Sequence, residues 1–113
     1  MSSKPARYEV LLTRGAEQDL ESIHDYITEF GDDRNAAHVL GRVLTVVETL
    51  AQFSERGNYP KELLALGMRE YRQTTFKPYR VIYRVVGNRV FIVLIVDGRR
   101  DIQSVLARRL LAG

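Results

Sequence analysis

The stretch FKPYRVIYRVVGNRVFIVLIVDGRRD, residues 76–101, decides the fold of this 113-residue chain. Two apolar runs, 80–86 and 89–96, flank the dipeptide Gly87-Asn88, and this pattern is typical of a tight β-hairpin. The second run contains seven consecutive apolar residues, VFIVLIV, and this predicts a central strand that is covered on both faces. The hairpin is therefore expected to lie inside a larger sheet.

Two helical segments precede the hairpin. Apolar residues in 16–30 recur at spacings of four, three, four and three, which places them in one stripe of an amphipathic helix. Residues 34–53 show a second helical stripe. The link at 31–33 is so short that the two helices are expected to form an antiparallel pair.

The predicted order of elements is β-α-α-β-β-β-α, an α+β fold. A short strand at 8–12 opens the chain, and another strand at 69–75 precedes the hairpin. Asp101 is a candidate cap for a last helix that runs through Leu111. We expect the helical hairpin to pack on a four-strand, mostly antiparallel sheet. The short C-terminal helix is expected near the edge of the sheet or on its other face.

Length and composition indicate one globular domain over residues 1–113. Hydrophobic residues make up 45% and charged residues 27%, and no apolar run approaches the roughly 18 residues that cross a membrane. The N-terminus lacks the apolar core of an export signal. Cysteine is absent, which excludes disulfides and thiolate chemistry. We expect a cytoplasmic protein without a cofactor and without a membrane partner.

Charge is divided unevenly along the chain, whose net charge is +3. Residues 1–57 hold 6 Lys and Arg against 10 Asp and Glu, a balance of −4. Residues 58–113 hold 11 Lys and Arg against 4 Asp and Glu, a balance of +7. A basic half of this kind indicates either an acidic partner or a solvated basic surface.

Residues for acid–base, nucleophilic or metal chemistry are scarce. The two histidines, His24 and His38, lie on predicted helices, and neither has a histidine four residues away. His24 is expected to be an exposed surface residue. Ser54 and Ser104 show no arrangement of serine, histidine and acid. We therefore expect no metal site and no catalytic residue.

The arginines of the hairpin are the strongest candidates for a functional role. Because side chains alternate along a strand, Arg80 and Arg84 share one side, and Tyr83 faces the other. The forked guanidinium suits phosphates and carboxylates equally well. Two roles remain open for Arg80: contact with a partner, or an internal ion pair with Asp97 or Glu70.

The ordered pattern resembles the ParE/RelE superfamily of bacterial type II toxins over roughly residues 8–110. Five segments carry the resemblance: Ala16–Ile27, Asn35-Ala36-Ala37, Met68–Tyr71, Tyr79–Arg84 and Ile95–Asp101. The last segment is similar to a His-Gly-Arg-Arg run of the family, with Asp97 where histidine is common.

The superfamily contains two activities, ribosome-dependent mRNA cleavage in RelE-like members and poisoning of DNA gyrase in ParE-like members. Arg80 and Arg100 fall where the nucleases carry arginines, and Lys77 alone stands where they carry paired lysines. Leu106 falls near their acid–base residue, and leucine cannot transfer a proton. The resemblance therefore favours the ParE-like branch.

That branch implies the toxin of a plasmid-stabilisation system that inhibits the gyrase A subunit and causes growth arrest. A ParD-like antitoxin would neutralise it in a hetero-oligomeric complex. The residues expected to bind antitoxin or target are Arg80, Tyr83, Arg99, Arg100 and Asp101. Two alternatives remain: a RelE-like endoribonuclease that uses Arg80, Arg100 and Lys77, or a non-toxic relic that binds only its antitoxin.

Overall fold

The structure, a computed structural model, describes residues 7–111. The elements, in chain order, are β1 (Glu9–Leu12), α1 (Arg14–Phe30), α2 (Asp33–Thr49), α3 (Lys61–Leu64), β2 (Tyr71–Phe76), β3 (Tyr79–Val86), β4 (Arg89–Asp97) and α4 (Ile102–Leu111). The predicted order is confirmed, with the single-turn α3 added between the helical hairpin and the sheet. None of these helices is long and apolar enough to cross a membrane.

The four strands form one sheet in the order β1-β4-β3-β2. The pairs β2–β3 and β3–β4 are antiparallel, whereas β1 runs parallel to β4. The mostly antiparallel sheet is therefore confirmed. Since β1 pairs only from Glu9↔Arg89 to Leu12↔Ile92, no strand among the described residues lies beside the second half of β4 on that side.

A bulge in β4 sets which side chains face each layer. Ile82 pairs with Leu94, but the next residue, Tyr83, pairs with Ile92, so Val93 is the extra residue. Ile92 packs in the core beneath α1 and α2, whereas Leu94 packs in the core beneath α3 and α4. The bulge thus changes the alternation of β4 without disturbing that of β3.

Two hydrophobic clusters cover the two faces of the sheet. The first joins α1 and α2 to the sheet through Ala16, Leu20, Val43, Val47, Leu50, Val81, Tyr83, Val90, Ile92 and Ile95. The second joins α3 and α4 through Leu63, Tyr71, Ile82, Leu94, Val96, Ile102 and Leu106. The prediction that β4 is covered on both faces is confirmed, and α4 lies on the face opposite the helical hairpin.

Local signals fix where the helices begin and end. The Thr13 side chain accepts a hydrogen bond from the Ala16 N–H at 3.2 Å, so α1 begins two residues before the predicted start. Asp32 caps α2 by accepting from the Asn35 N–H at 2.7 Å. The α2 helix ends at Thr49, earlier than predicted. The Ala51 carbonyl instead accepts from the Tyr8 N–H at 2.7 Å, which ties the helix end to the start of the sheet.

The segment after α2 approaches the sheet closely at Gly57. The Gly57 N–H donates to the Tyr83 hydroxyl at 3.0 Å, and the next residue, Asn58, forms a bridge with Gln73. A β-carbon at Gly57 would lie 2.3 Å from the Gln73 carbonyl oxygen and 2.7 Å from the Tyr83 hydroxyl. Only glycine therefore fits this approach without moving backbone.

Replacing Gly57 by alanine should lower the free energy of unfolding by about 2 kcal/mol, because the new methyl group overlaps main-chain atoms. The matched control is Gly41→Ala in α2, where a β-carbon meets no atom within 4 Å of its position. That change should raise the free energy of unfolding by about 1 kcal/mol through helix propensity. Urea denaturation of the three proteins measures both effects, and equal midpoints for Gly57→Ala and wild type would contradict the close approach.

Candidate functional site

A groove of about 810 Å³ runs along the open edge of β4, between α1 and α4. Its charged lining consists of Arg14, Asp19, Asp97, Arg99, Arg100, Arg108 and Arg109. Apolar and aromatic side chains line the rest, among them Ile23, Tyr26, Tyr79, Ile95 and Val105. With five arginines against two aspartates, the groove attracts anionic groups around a partly apolar floor.

Arg99 is positioned at the mouth of this groove by Asp97. Its backbone N–H and Nε both donate to Asp97 Oδ1 at 2.9 Å, and Nη2 donates to Oδ2 at 2.5 Å. These hydrogen bonds hold the pKa of Asp97 below its ordinary value of 3.8. Asp97 therefore pairs with Arg99 and not with Arg80. The Arg99 side chain remains 79% exposed, so this ion pair orients the guanidinium without hiding it.

Arg100 and Asp101 follow at the turn into α4. The exposed Arg100 lines the groove, and its backbone N–H donates to the Asp97 carbonyl at 3.1 Å. Asp101 accepts from the Ser104 N–H at 3.3 Å and from the Ser104 hydroxyl at 2.7 Å. These bonds lower the pKa of Asp101 below 3.8 and cap the helix as the sequence predicts. Asp101 therefore positions the start of α4 beside the groove.

Two tyrosines give the groove its aromatic surface. Tyr26 is 65% exposed and its ring lies 4.9 Å from that of Phe30. Tyr79 is half-buried, and burial together with the neighbouring Asp97 charge raises its pKa above 10.0. The Tyr79 phenol therefore keeps its proton at neutral pH, and its hydroxyl is available as a hydrogen-bond donor.

Arg80 lies outside the groove and is engaged inside the fold. Its Nη1 and Nη2 donate to the two carboxylate oxygens of Glu62 at 2.9 and 2.8 Å. Its Nε donates to Gln73 Oε1 at 2.8 Å, and Nη2 contacts the same oxygen. Neither Asp97 nor Glu70 is its partner, and the expectation of such a pair is corrected. The fork binds the α3 turn to the sheet, with both side chains of the ion pair below one-fifth exposed.

Tyr83 occupies the core beneath α1 and α2 and has no exposed surface. Its hydroxyl accepts the Gly57 N–H, and burial raises its pKa above 10.0. The structure thus places Tyr83 in the packing of the fold rather than on a binding surface. Its position follows from strand alternation, which turns it away from Arg80 and Arg84 as the sequence predicts.

A family model described as the ParE toxin of the type II toxin–antitoxin system parDE matches residues 10–102. The chain belongs to the ParE toxin family. A curated relative, Toxin ParE3 of Caulobacter vibrioides, is 29% identical over 100 residues, which is 88% of this chain and 96% of the relative. The family-model match includes both long helices and strands β2, β3 and β4, and it ends at the start of α4.

Two solved structures show the fold of this ParE-family toxin. A chain of the chromosomal ParDE toxin–antitoxin system from P. aeruginosa matches with a TM-score of 0.69 at 21% identity, over 81% of this chain and 97% of that chain. A chain of the toxin–antitoxin complex RelBE2 from Mycobacterium tuberculosis matches with a TM-score of 0.59 at 18% identity, over 85% and 97%. The predicted superfamily and α+β fold are therefore confirmed.

Three further basic residues of the ParE-family toxin, Lys77, Arg84 and Arg89, lie away from the groove. Arg84 is exposed with its guanidinium 5.9 Å from the centre of the Tyr71 ring, and Arg89 pairs with Glu9 at 3.2 Å on the surface. Lys77 is exposed in the turn between β2 and β3. The structure therefore separates Arg80, Arg84 and Lys77 from the groove that holds Arg99 and Arg100.

Residues 7–111 contain no candidate metal site. No group of three or more His, Asp or Glu side chains there is arranged to hold a metal ion. His24 is exposed, as the sequence predicts, and its Nδ1 lies 3.5 Å from the neighbouring Asp25 carboxylate.

Sequence reasoning missed several groove residues and the partner of Arg80. Arg14, Arg108 and Arg109 line the groove from α1 and α4, and they were not singled out from the sequence. Glu62 lies 18 residues from Arg80 in sequence, so only tertiary folding brings the two side chains together. A weak signal for Glu62 was its place beside Leu63, the one apolar residue of α3 that is fully buried.

The ion pair between Glu62 and Arg80 predicts a pH-dependent stability. The Arg80 hydrogen bonds lower the pKa of Glu62 below 4.5, so its contribution to stability is present above 4.5 and is lost as the pH falls through the lowered value. At pH 7, Glu62→Gln should lower the free energy of unfolding by about 2 kcal/mol, because Gln leaves the partly buried guanidinium without a charged acceptor. That difference should shrink on acidification, as measured by urea denaturation across pH.

The control for this experiment is Glu9→Gln, which removes the exposed pair with Arg89. Its free energy of unfolding should change by about 0.5 kcal/mol or less at pH 7. Parallel pH profiles for Glu62→Gln and wild type would show that the Arg80 fork contributes nothing to stability.

Proposed function

We propose that this ParE-family toxin acts by binding the DNA gyrase A subunit, and that a ParD-like antitoxin neutralises it. The observation that carries the proposal is the engagement of Arg80 by Glu62 and Gln73. The arginine that resembles a nuclease residue is thereby committed to the fold. What the groove offers to solvent is a surface for binding.

The chemistry of RNA cleavage makes this distinction concrete. Cleavage needs one group that removes the 2′-hydroxyl proton and another that protonates the leaving oxygen. Leu106, at the position that resembles the acid–base residue, is 2% exposed and packs with Ile82 and Leu94. Arg99 and Arg100 remain accessible, but a guanidinium keeps its proton at neutral pH. These features support a toxin that holds its target by contact rather than by catalysis.

If gyrase is the target, the effect of the toxin on the cell follows from the known role of gyrase in replication. A toxin bound to the A subunit would stabilise cleaved DNA, stop replication and arrest growth. Both gyrase and the antitoxin would meet the toxin in the cytoplasm. The two chains of the solved systems that share this fold come from ParDE and RelBE toxin–antitoxin systems, and this supports an antitoxin partner and a hetero-oligomeric complex.

The groove supports a partner segment of defined chemistry. Its arginines match acidic side chains, while Ile23, Tyr26 and Val105 match apolar anchors at helical or strand spacing. We therefore expect the antitoxin to place an acidic, amphipathic segment along this groove. Arg99 and Arg100 would then be covered in the complex, and antitoxin and gyrase would compete for them.

A gyrase assay tests the proposal directly. Purified toxin at micromolar concentration should reduce DNA supercoiling and increase the amount of DNA trapped in cleaved complexes. Addition of the ParD-like antitoxin should return both the extent of supercoiling and the amount of cleaved DNA to their levels without toxin. The matched control for nuclease activity is primer extension on translating ribosomes, where the message should remain uncut.

The remaining outcomes separate the alternatives. Codon-positioned cuts in the message, together with unaffected gyrase, would replace the proposal by a RelE-like nuclease. If both assays are silent while the antitoxin still binds, the chain is a relic that retains only its partner.

Charge reversal at Arg100 tests the groove as the antitoxin site. Arg100→Glu should weaken antitoxin binding roughly tenfold and reduce its dependence on salt, because an accessible attractive charge becomes repulsive. Arg84→Glu is the control, since Arg84 is equally exposed but lies outside the groove. Titration calorimetry at two ionic strengths measures both. Equal losses in the two variants would indicate a response to net charge alone.

A further inference from the structure

The free edge of β4 begins where β1 ends. The last parallel pair is Leu12↔Ile92, and Thr13 continues the contact by donating its N–H to the Ile92 carbonyl at 3.1 Å. Beyond this point no strand within residues 7–111 covers that side of β4. An uncovered edge exposes N–H and C=O groups that pair readily with a strand of another molecule.

Two side chains occupy two of the hydrogen-bonding positions of this edge. The Ile95 N–H donates to Asp19 Oδ2 at 2.9 Å, and the Val93 carbonyl accepts from Arg109 Nη1 at 2.7 Å. The two side chains also pair with each other, with Arg109 Nη1 and Nη2 donating to Asp19 at 3.0 and 2.8 Å. One acceptor and one donor are therefore presented to β4, as a neighbouring strand would present them.

The start of α1 provides the space for this arrangement. A β-carbon at Gly15 would lie 2.8 Å from Arg109 Nη1 and 3.0 Å from its Cζ. Glycine disfavours a helix, yet it stands in the first turn of α1 where the guanidinium passes. The Arg109 side chain is 28% exposed and the Asp19 side chain 15% exposed, so both are held in place rather than fully solvated.

We propose that Asp19 and Arg109 form a side-chain clasp that takes the place of a strand on β4. The clasp prevents a second copy of the toxin from adding a strand at this edge, and it fastens the C-terminal part of α4 to α1. Charged side chains at an edge strand are a recognised way to prevent edge-to-edge pairing between the sheets of two molecules. The inference does not depend on whether gyrase is the target.

Removal of one partner tests the clasp. In Arg109→Ala, the Ile95 amide should exchange its hydrogen at least roughly tenfold faster than in wild type, because its acceptor loses the group that holds it. The average mass from light scattering should also rise with concentration more steeply than that of wild type. Arg108→Ala is the matched control, since it removes the same charge from the adjacent, exposed position of α4.

A second variant leaves Arg109 in the chain and displaces it. Gly15→Leu should push the guanidinium off the edge and reproduce both changes while α1 stays folded, as far-ultraviolet circular dichroism would verify. This variant decides the outcome if Arg109→Ala does not fold. Wild-type exchange at Ile95 and unchanged mass in Gly15→Leu would overturn the proposal, as would equal self-association of Arg108→Ala and Arg109→Ala.

Discussion

Burial of β4 on both faces is the constraint on which the rest of the structure depends. A strand with apolar side chains on both sides requires a layer on each, and the long helical hairpin supplies one while α3 and α4 supply the other. The bulge at Val93 lets the same strand serve both layers. Because β1 is four residues long and β4 nine, one side of the strand stays open, and the groove forms there.

The arginines show how burial divides a single residue type between internal ion pairs and accessible surface charges. Arg80 projects toward α3, where a carboxylate and an amide satisfy its fork, so its charge is neutralised within the fold. Arg99 has a carboxylate partner too, but that pair lies on the surface and leaves the guanidinium accessible. The difference arises from location, because the same chemistry pairs each arginine with an acid. Arg80 lies in β3 beneath α3, whereas Arg99 lies in the exposed turn after β4.

Local sequence patterns predicted more of the fold than of the candidate site. The hairpin around Gly87-Asn88, the helical stripes and the cap at Asp101 are each set by neighbours in sequence, and all three were predicted. Arg80 and Glu62 are 18 positions apart in sequence, and Asp19 and Arg109 are 90 positions apart. Neither pair can therefore be predicted from a local periodic pattern. Arg14, Arg108 and Arg109 were not singled out from the sequence for the same reason. Only the meeting of α1, α4 and β4 turns them into one surface.

The clasp and the groove share one edge, and this determines how a partner can bind there. Asp19 and Arg109 already satisfy the Ile95 N–H and the Val93 carbonyl, so a segment in the groove gains little from those main-chain groups while the clasp is closed. Its affinity must then come from side chains, that is, from acids that meet Arg99, Arg100 and Arg108 and from apolar anchors on the groove floor. Recognition by side chains is specific in a way that strand addition is not, because main-chain hydrogen bonds are the same for every sequence. An edge closed to strands and open to side chains is suited to a toxin that must distinguish its own antitoxin from other extended chains.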